Sequence, residues 1–171
     1  MKYRFAAEQD LLLLAELNHQ LIRDERADNA MTVVQLQKRM REWLALQYQA
    51  ILFEIASEIV GYALFRVDED GVYVRQFFIC RRMRRRGYGR GAVGLLLREV
   101  FQRGRSVTVE VLNHNESALA FWRAVGFQDL ARTLRILTSF RKGRAALSST
   151  AVSRLGALDP ARCRASHWDI G

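Results

Sequence analysis

The sequence predicts a mixed α/β fold, α+β-like in the order of its elements, and three observations carry that reading. The first third has helical hydrophobic spacing, the middle alternates with a period of two, and a glycine-rich stretch then opens a helix before further alternating segments. Taken in order, Lys2–Phe5 is a short strand, and Asp10 stands where it can cap a helix carrying Leu14, Leu17 and Leu21 on one face. Thr32, Val33, Val34 and Gln35 have the form of a capping box, in which hydroxyl and amide each satisfy a backbone N–H, and Leu36, Met40, Trp43 and Leu44 follow at helical spacing. Ile51, Phe53 and Ile55 then alternate with Leu52 and Glu54. A turn near Ser57 and Glu58, strands over 62–67 and 72–80, and a turn from Asp68 to Gly71 complete an antiparallel meander. A helix through Val93, Leu96, Leu97 and Val100 is expected to end in a left-handed cap at Gly104. Val107, Val109 and Val111 alternate as another strand, residues 115–125 form a helix with Gly126 after it, and residues 127–137 are expected to be the last strand.

At 171 residues, half of them apolar, the chain is long enough for one compact domain. That domain is read as residues 1–140. Residues 141–171, small and basic and containing the only proline, Pro160, read as a C-terminal extension. No apolar run reaches the length of a membrane span, and Glu8 and Asp10 interrupt the apolar stretch that a signal peptide needs, so a soluble, cytoplasmic protein without a membrane partner is expected. Cys80 and Cys163 lack metal-ligand spacing and read as free thiols; neither metal nor disulfide is expected. The formal charge of +9 is concentrated at Arg81, Arg82, Arg84, Arg85, Arg86 and Arg90, with another basic stretch at Arg141, Lys142 and Arg144, and some polyanion is expected nearby: nucleic acid or a phosphorylated cofactor.

Gly87, Gly89 and Gly91 lie between a strand and a helix. Glycine permits positive φ and removes the Cβ that keeps a ligand away, so successive N–H groups can converge on one anion at the positive end of the helix dipole. Gly89, Gly91 and Gly94 satisfy G-x-G-x-x-G, with Glu110 near the distance of a ribose-binding acid, but Arg81 to Arg86 separate the strand from the first glycine, and a meander precedes it in place of a parallel unit. A P-loop is weaker, because no Gly-Lys-Ser/Thr follows.

Arg84-x-x-Gly87-x-Gly89 resembles the Q/R-x-x-G-x-G/A loop of the GCN5-related N-acetyltransferases (GNAT), and the order of elements from Lys2 to about Leu137 is similar to theirs. Val109-Glu110-Val111, followed by Asn115, Ala118, Phe121-Trp122 and Gly126-Phe127, resembles the family's fifth strand and next helix. The resemblance implies a GNAT fold, with a central, mostly antiparallel sheet of about six to seven strands flanked by helices. It implies acetyl-coenzyme A as co-substrate, with pyrophosphate on the backbone of residues 85–90, Arg84 opening the loop and Gly91 closing it. It further implies that main-chain groups of Phe77, Phe78 and Ile79 meet the pantetheine arm, with an Ile79 N–H as oxyanion donor. Arg85, Arg86 and Arg90 then supply field, and Arg81 and Arg82 are candidates for the ribose phosphate, with a solvated face as the alternative. Asn115 is a helix N-cap, a contact to the cofactor arm, or both.

An amine attacks only when neutral, and a lysine-like amine with a pKa of roughly 10.4 is almost wholly protonated at neutral pH. Glu110 matches the glutamate that serves as base in some family members; the alternative is a solvent-facing or ion-paired carboxylate, with Tyr73 and Glu54 the next candidates. Trp122 occupies the position at which the family usually places a tyrosine acid, and an indole cannot give up its proton near neutral pH. Tyr88 is the candidate substitute. The expected reaction is direct attack of a primary amine in a ternary complex, with Cys80 the one thiol that would argue for a covalent carrier. The acceptor is a small-molecule amine or a protein N-terminus or lysine, and the loop holding Asp24, Glu25 and Asp28 is where an ammonium group would be drawn. The basic charge counts against a polycationic acceptor such as an aminoglycoside. Nucleic acid is disfavoured as partner, a homodimer is left open, and the competing reading is a non-catalytic coenzyme A-binding or nucleic-acid-binding protein on the same fold.

Overall fold

The computed structural model describes residues 1–131, 133 and 134; the extension at 141–171 lies outside them. Five strands form one sheet in the order β1-β2-β3-β4-β5: β1 (Lys2–Phe5), β2 (Tyr48–Ile55), β3 (Glu58–Asp68), β4 (Gly71–Ile79) and β5 (Val107–Val109). The first four are antiparallel neighbours, and β5 returns parallel to β4. Ala56 and Ser57 both take positive φ in the β2–β3 turn, the conformation that tight hairpins need. Among the described residues the sheet therefore has five strands where six to seven were expected. No strand forms over 127–131, and most of the rest of the expected final strand lies outside the described residues.

Each face of the sheet carries its own core. Helices α1 (Leu11–Asp24) and α2 (Val33–Leu46) cover one, where Leu14, Leu17 and Met40 meet Leu52, Tyr62 and Phe78. Helix α3 (Tyr88–Leu95), extended by a π turn over Leu96–Val100, covers the other, where Ala92, Leu95 and Phe101 meet Phe53, Phe65 and Val74. Period-two alternation sends odd and even side chains of each strand to opposite faces. Both faces of β2 and β3 are buried, which is why the middle of the sequence is apolar almost without interruption.

Local signals survive in the structure to different degrees. The capping box at α2 forms as expected: Thr32 Oγ1 accepts from Gln35 N–H at 3.3 Å, and Thr32 N–H donates to Gln35 Oε1 at 2.8 Å. Asp10 does not cap α1. Its carboxylate accepts Ala7 N–H at 2.8 Å and grips the Arg4 guanidinium at 2.7 and 2.8 Å, because an arginine on the first strand offers a charged, two-pronged donor that outcompetes one amide. Nor does Gly104 cap α3. The helix widens into the π turn, Phe101 N–H bonds Leu96 O, and the chain is already extended at Phe101, leaving the left-handed Gly104 in the turn beyond.

One glycine in the meander is sterically required. A Cβ on Gly61 would collide with the Phe78 carbonyl oxygen of the neighbouring strand, and neither backbone can retreat from inside a paired sheet. Gly61→Ala should therefore lower unfolding free energy by about 2 kcal/mol in urea titration; an unchanged midpoint would contradict this packing.

Candidate functional site

The parallel pairing of β4 and β5 covers only Val72–Val107, Tyr73–Thr108 and Val74–Val109. Past Val74 the strands separate, and β4 runs on to Ile79 while β5 has ended. Between them opens a cleft of about 450 Å³, walled by Phe77, Phe78 and Ile79 on one side and by α4 (Glu116–Ala124) on the other. Because Cys80 N–H bonds Val60 O on β3, antiparallel alternation turns the peptide groups of Phe78 toward β3 as well and those of Phe77 and Ile79 toward the cleft. Of the three candidate strand residues, Phe77 and Ile79 thus offer backbone to a ligand, and Phe78 offers its side chain.

The glycine loop forms one end of this cleft. Arg85 and Gly87 both adopt left-handed φ, at 61° and 79°, and α3 begins directly after Gly87. A non-glycine residue held at positive φ marks a backbone bent for a purpose, and such turns gather N–H groups around an anion. Gly91 N–H bonds back to Gly87 O at 3.0 Å, so the helical ladder starts at Gly91, and the amides of Tyr88, Gly89 and Arg90 lie in the first turn, which has no such partner. Gly87, Gly89, Arg84, Arg85 and Arg90 line the cleft, whereas Arg86, Tyr88 and Gly91 do not reach its wall. Arg85, Arg86 and Arg90 are exposed and without an ion-pair partner among the described residues.

Arg81, Arg82 and Arg84 have a different role. Asp24, at the end of α1, receives Arg81 Nε at 2.7 Å and pairs with Arg84, while Arg82 pairs with Glu58. Arg84 also donates to Ile79 O at 2.8 Å and lies over the Phe78 ring at 5.1 Å. The three are occupied in joining the loop to α1 and to the β2–β3 hairpin, which leaves the ribose-phosphate assignment of Arg81 and Arg82 without geometric support. Burial pushes the Asp24 carboxyl up, and the two guanidinium groups together pull it further down, so it lies below the usual aspartate value.

Asn115 caps α4, with Oδ1 accepting Ala118 N–H and Ser117 Oγ–H, each at 3.1 Å, and it also lines the cleft. Trp122 lines it too, within an aromatic wedge: Phe77 stacks on Phe121 at 5.8 Å, and Trp122 meets Phe77 at 5.3 Å and Phe127 at 4.8 Å. A Cβ on Gly89 would press on the Phe121 ring at 3.1 Å, so the loop seats against that wedge.

On the α1 and α2 side of the cleft, Glu110 follows the last residue of β5 and lies close enough to the Tyr73 phenol to act on it. Val107 and Val109 pack into the α3-side core while Tyr73 packs into the other, so Glu110 faces opposite to those valines, as alternation predicts. Burial, then the Glu110 charge, pushes the Tyr73 phenol up, which keeps it protonated near neutral pH and so able to donate a hydrogen bond but not to act as the base. Glu54 is held by Arg4 at 2.9 Å and does not line the cleft. Glu25 does: burial, then the charge of Asp24, raises its carboxyl above the ordinary value, while His114 Nε2 donates to its main-chain carbonyl at 2.8 Å. Asp28 does not reach the cleft wall. Sequence reasoning missed Arg75 and Ser117, which also line the cleft.

Residues 84–91 and 109–127 thus meet around one cleft, an arrangement that defines an acetyltransferase fold. The chain belongs to the acetyltransferase (GNAT) family, whose model matches residues 15–127. No curated protein matches the sequence. Among solved structures it is similar to a mutant of a Bacillus halodurans protein at 16% identity, TM-score 0.66, over 81% of this chain and 99% of that one. A predicted acetyltransferase with acetyl-CoA from Clostridium acetobutylicum matches at 18% identity, TM-score 0.63, over 79% and 94%. An aminoglycoside antibiotic 6'-N-acetyltransferase from Acinetobacter haemolyticus matches at 13% identity, TM-score 0.64, over 82% and 100%. At such identities the likeness is one of fold. Among the described residues no helix is long and apolar enough to cross a membrane, and no group of residues suits a metal ion.

Two measurements probe the site. Gly89→Val should weaken acetyl-coenzyme A binding by about tenfold or more in calorimetry, since the added side chain displaces either the loop or Phe121; equal affinity would remove the loop from the binding site. Asp24 has a lowered pKa in the folded state, so its contribution is complete above the unfolded value of roughly 3.9 and is lost as pH falls through the folded value. Asp24→Asn should melt below wild type at pH 7, with the gap closing below about pH 4; a gap independent of pH would rule out the carboxylate as its source.

Proposed function

We propose that this protein is an acetyl-coenzyme A-dependent N-acetyltransferase that acetylates a primary amine by direct attack in a ternary complex. The observation that carries the reading is the single cleft in which an amide-rich, glycine-opened loop, an uncovered strand edge and a carboxylate on the rim come together. The left-handed backbone at Arg85 and Gly87 and the first turn of α3 suit a pyrophosphate, with Arg85 and Arg90 adding field. Phe77 and Ile79 present peptide groups in the manner of a strand awaiting a partner, so the pantetheine arm would lie along β4, with Ile79 N–H directed at the acetyl oxygen.

When bound, acetyl-coenzyme A supplies an acetyl carbon that exchanges its C–S bond for a C–N bond to the acceptor, the electron pair leaving with sulfur. Glu110 takes the proton that the ammonium group must lose, directly or through a water, and the Tyr73 hydroxyl orients its carboxylate. Trp122 packs in the wedge and donates no acid proton, so the thiolate, with a pKa of roughly 8.5, departs unassisted and is protonated from solvent. Direct attack is favoured by the position of Cys80. Its Sγ contacts Ile59 O at 3.9 Å, burial pushes its thiol up, and it lines a separate hollow beside Leu13, Leu17 and Gln20. The nucleic-acid alternative is weakened because Arg81, Arg82 and Arg84 are engaged by Asp24 and Glu58, which offsets part of their charge.

An acetylation screen over a library of amines tests the reading as a whole, with thiol release as readout. With an acceptor in hand, Glu110→Gln should reduce the rate at pH 7 by about a hundredfold. The deficit should narrow toward pH 10, where the amine deprotonates on its own. A variant whose pH profile overlays that of wild type would put the base elsewhere.

A further inference from the structure

Two arginines on the α1 and α2 face of the sheet have no carboxylate partner among the described residues. Arg75 lines the cleft, and its guanidinium lies 4.4 Å from the centroid of the Trp43 ring; Arg39, on α2, lies over the same ring at 4.7 Å. Among the described residues their hydrogen bonds go to neutral groups, Arg75 to Tyr48 Oη at 3.4 Å and Arg39 to Met31 Sδ at 3.1 Å. Nε of Arg39 is buried with no partner at all. The contrast with nearby arginines is sharp: Arg66 has Asp68, Arg81 and Arg84 share Asp24, and Arg82 has Glu58.

A desolvated guanidinium with an unmet donor is costly, and placing a second cation on the same indole raises that cost. Burial and then the charge of Arg75 both pull the Arg39 pKa down, which registers the same conflict. An anion arriving at this place relieves it. A carboxylate suits best, because planar guanidinium groups pair with planar carboxylates in a two-pronged fashion. The same cleft bears Asp24, Glu25 and Glu110 as its acidic side chains, and Asp24 is taken by Arg81 and Arg84. A small molecule there is thus offered both a guanidinium group and carboxylates.

Resting on the acetyltransferase reading above, we infer that the acceptor is an amine that also carries a carboxylate, an amino-acid-like zwitterion whose anionic group is held by Arg75 in the cleft, with Arg39 at the same indole adding positive charge. Its ammonium group lies toward Glu110, where the proton is removed, and Glu25 adds attraction from the α1 side. A polycation such as an aminoglycoside meets Arg39 and Arg75 with like charge and is discriminated against.

The full-length protein is assayed with amino acids, each matched to its carboxamide and to its decarboxylated amine, and with kanamycin, while acetyl-coenzyme A binding is titrated separately. The free acids should exceed their carboxamides in kcat/KM by roughly ten- to a hundredfold, mainly through KM. Arg75→Gln should bring that ratio close to one, with Arg75→Lys in between. Arg75 is exposed, so this substitution leaves the core untouched; Arg39→Gln, checked for folding by thermal melting, should act in the same direction. Equal use of acids and carboxamides, preference for kanamycin, or a ratio unmoved in Arg75→Gln would overturn the inference while intact acetyl-coenzyme A binding leaves the parent reading standing. Loss of both binding and turnover in the wild-type protein would overturn the parent reading and the inference with it.

Discussion

The site exists because two parallel strands stop pairing after three residues. A sheet edge left open inside a protein has to be met by something, since buried N–H and C=O groups without partners are among the costliest features a fold can carry. Here the strands are held apart from both sides. The stacked rings of Phe77, Phe121 and Trp122 wedge α4 against β4. On the other side, Arg84 reaches back to Ile79 O and forward to Asp24. Packing and charge within the chain therefore hold the strands apart.

Asp24 links the two halves of this arrangement. By drawing Arg81 and Arg84 onto the end of α1, it fixes the orientation of the loop that begins at Arg84 and also offsets one of their two positive charges. Around the cleft and the loop, the arginines left without an ion pair among the described residues fall into two groups, Arg85, Arg86 and Arg90 at the glycine loop and Arg39 and Arg75 across the sheet.

Legibility in the sequence followed the range of the interactions. The capping box at Thr32 and Gln35, the meander, the glycine loop and the Asn115 cap depend on residues a few positions apart, and each is readable where it stands. Expectations failed where a distant group intervened. Asp10 turned to Arg4 of the first strand, and Arg81 and Arg84 found a carboxylate 57 and 60 residues away. Arg75 escaped notice because nothing near it in the chain marks it; its surroundings, Trp43 and Tyr48, arrive from α2 and β2. Among the described residues the sheet has fewer strands than expected because residues 127–131 carry apolar side chains without the pairing that would make them a strand.

The β3–β4 ladder pairs Leu64 with Gln76 and then Phe65 with Val74, so Arg75 is the extra residue of a bulge. An extra residue belongs to neither register and packs in neither core. Its side chain can change without disturbing the strand that runs on to Phe77 and Ile79. A point on the acceptor side of the cleft is thus free to vary in chemistry, four residues from the Ile79 backbone that would hold the acetyl group.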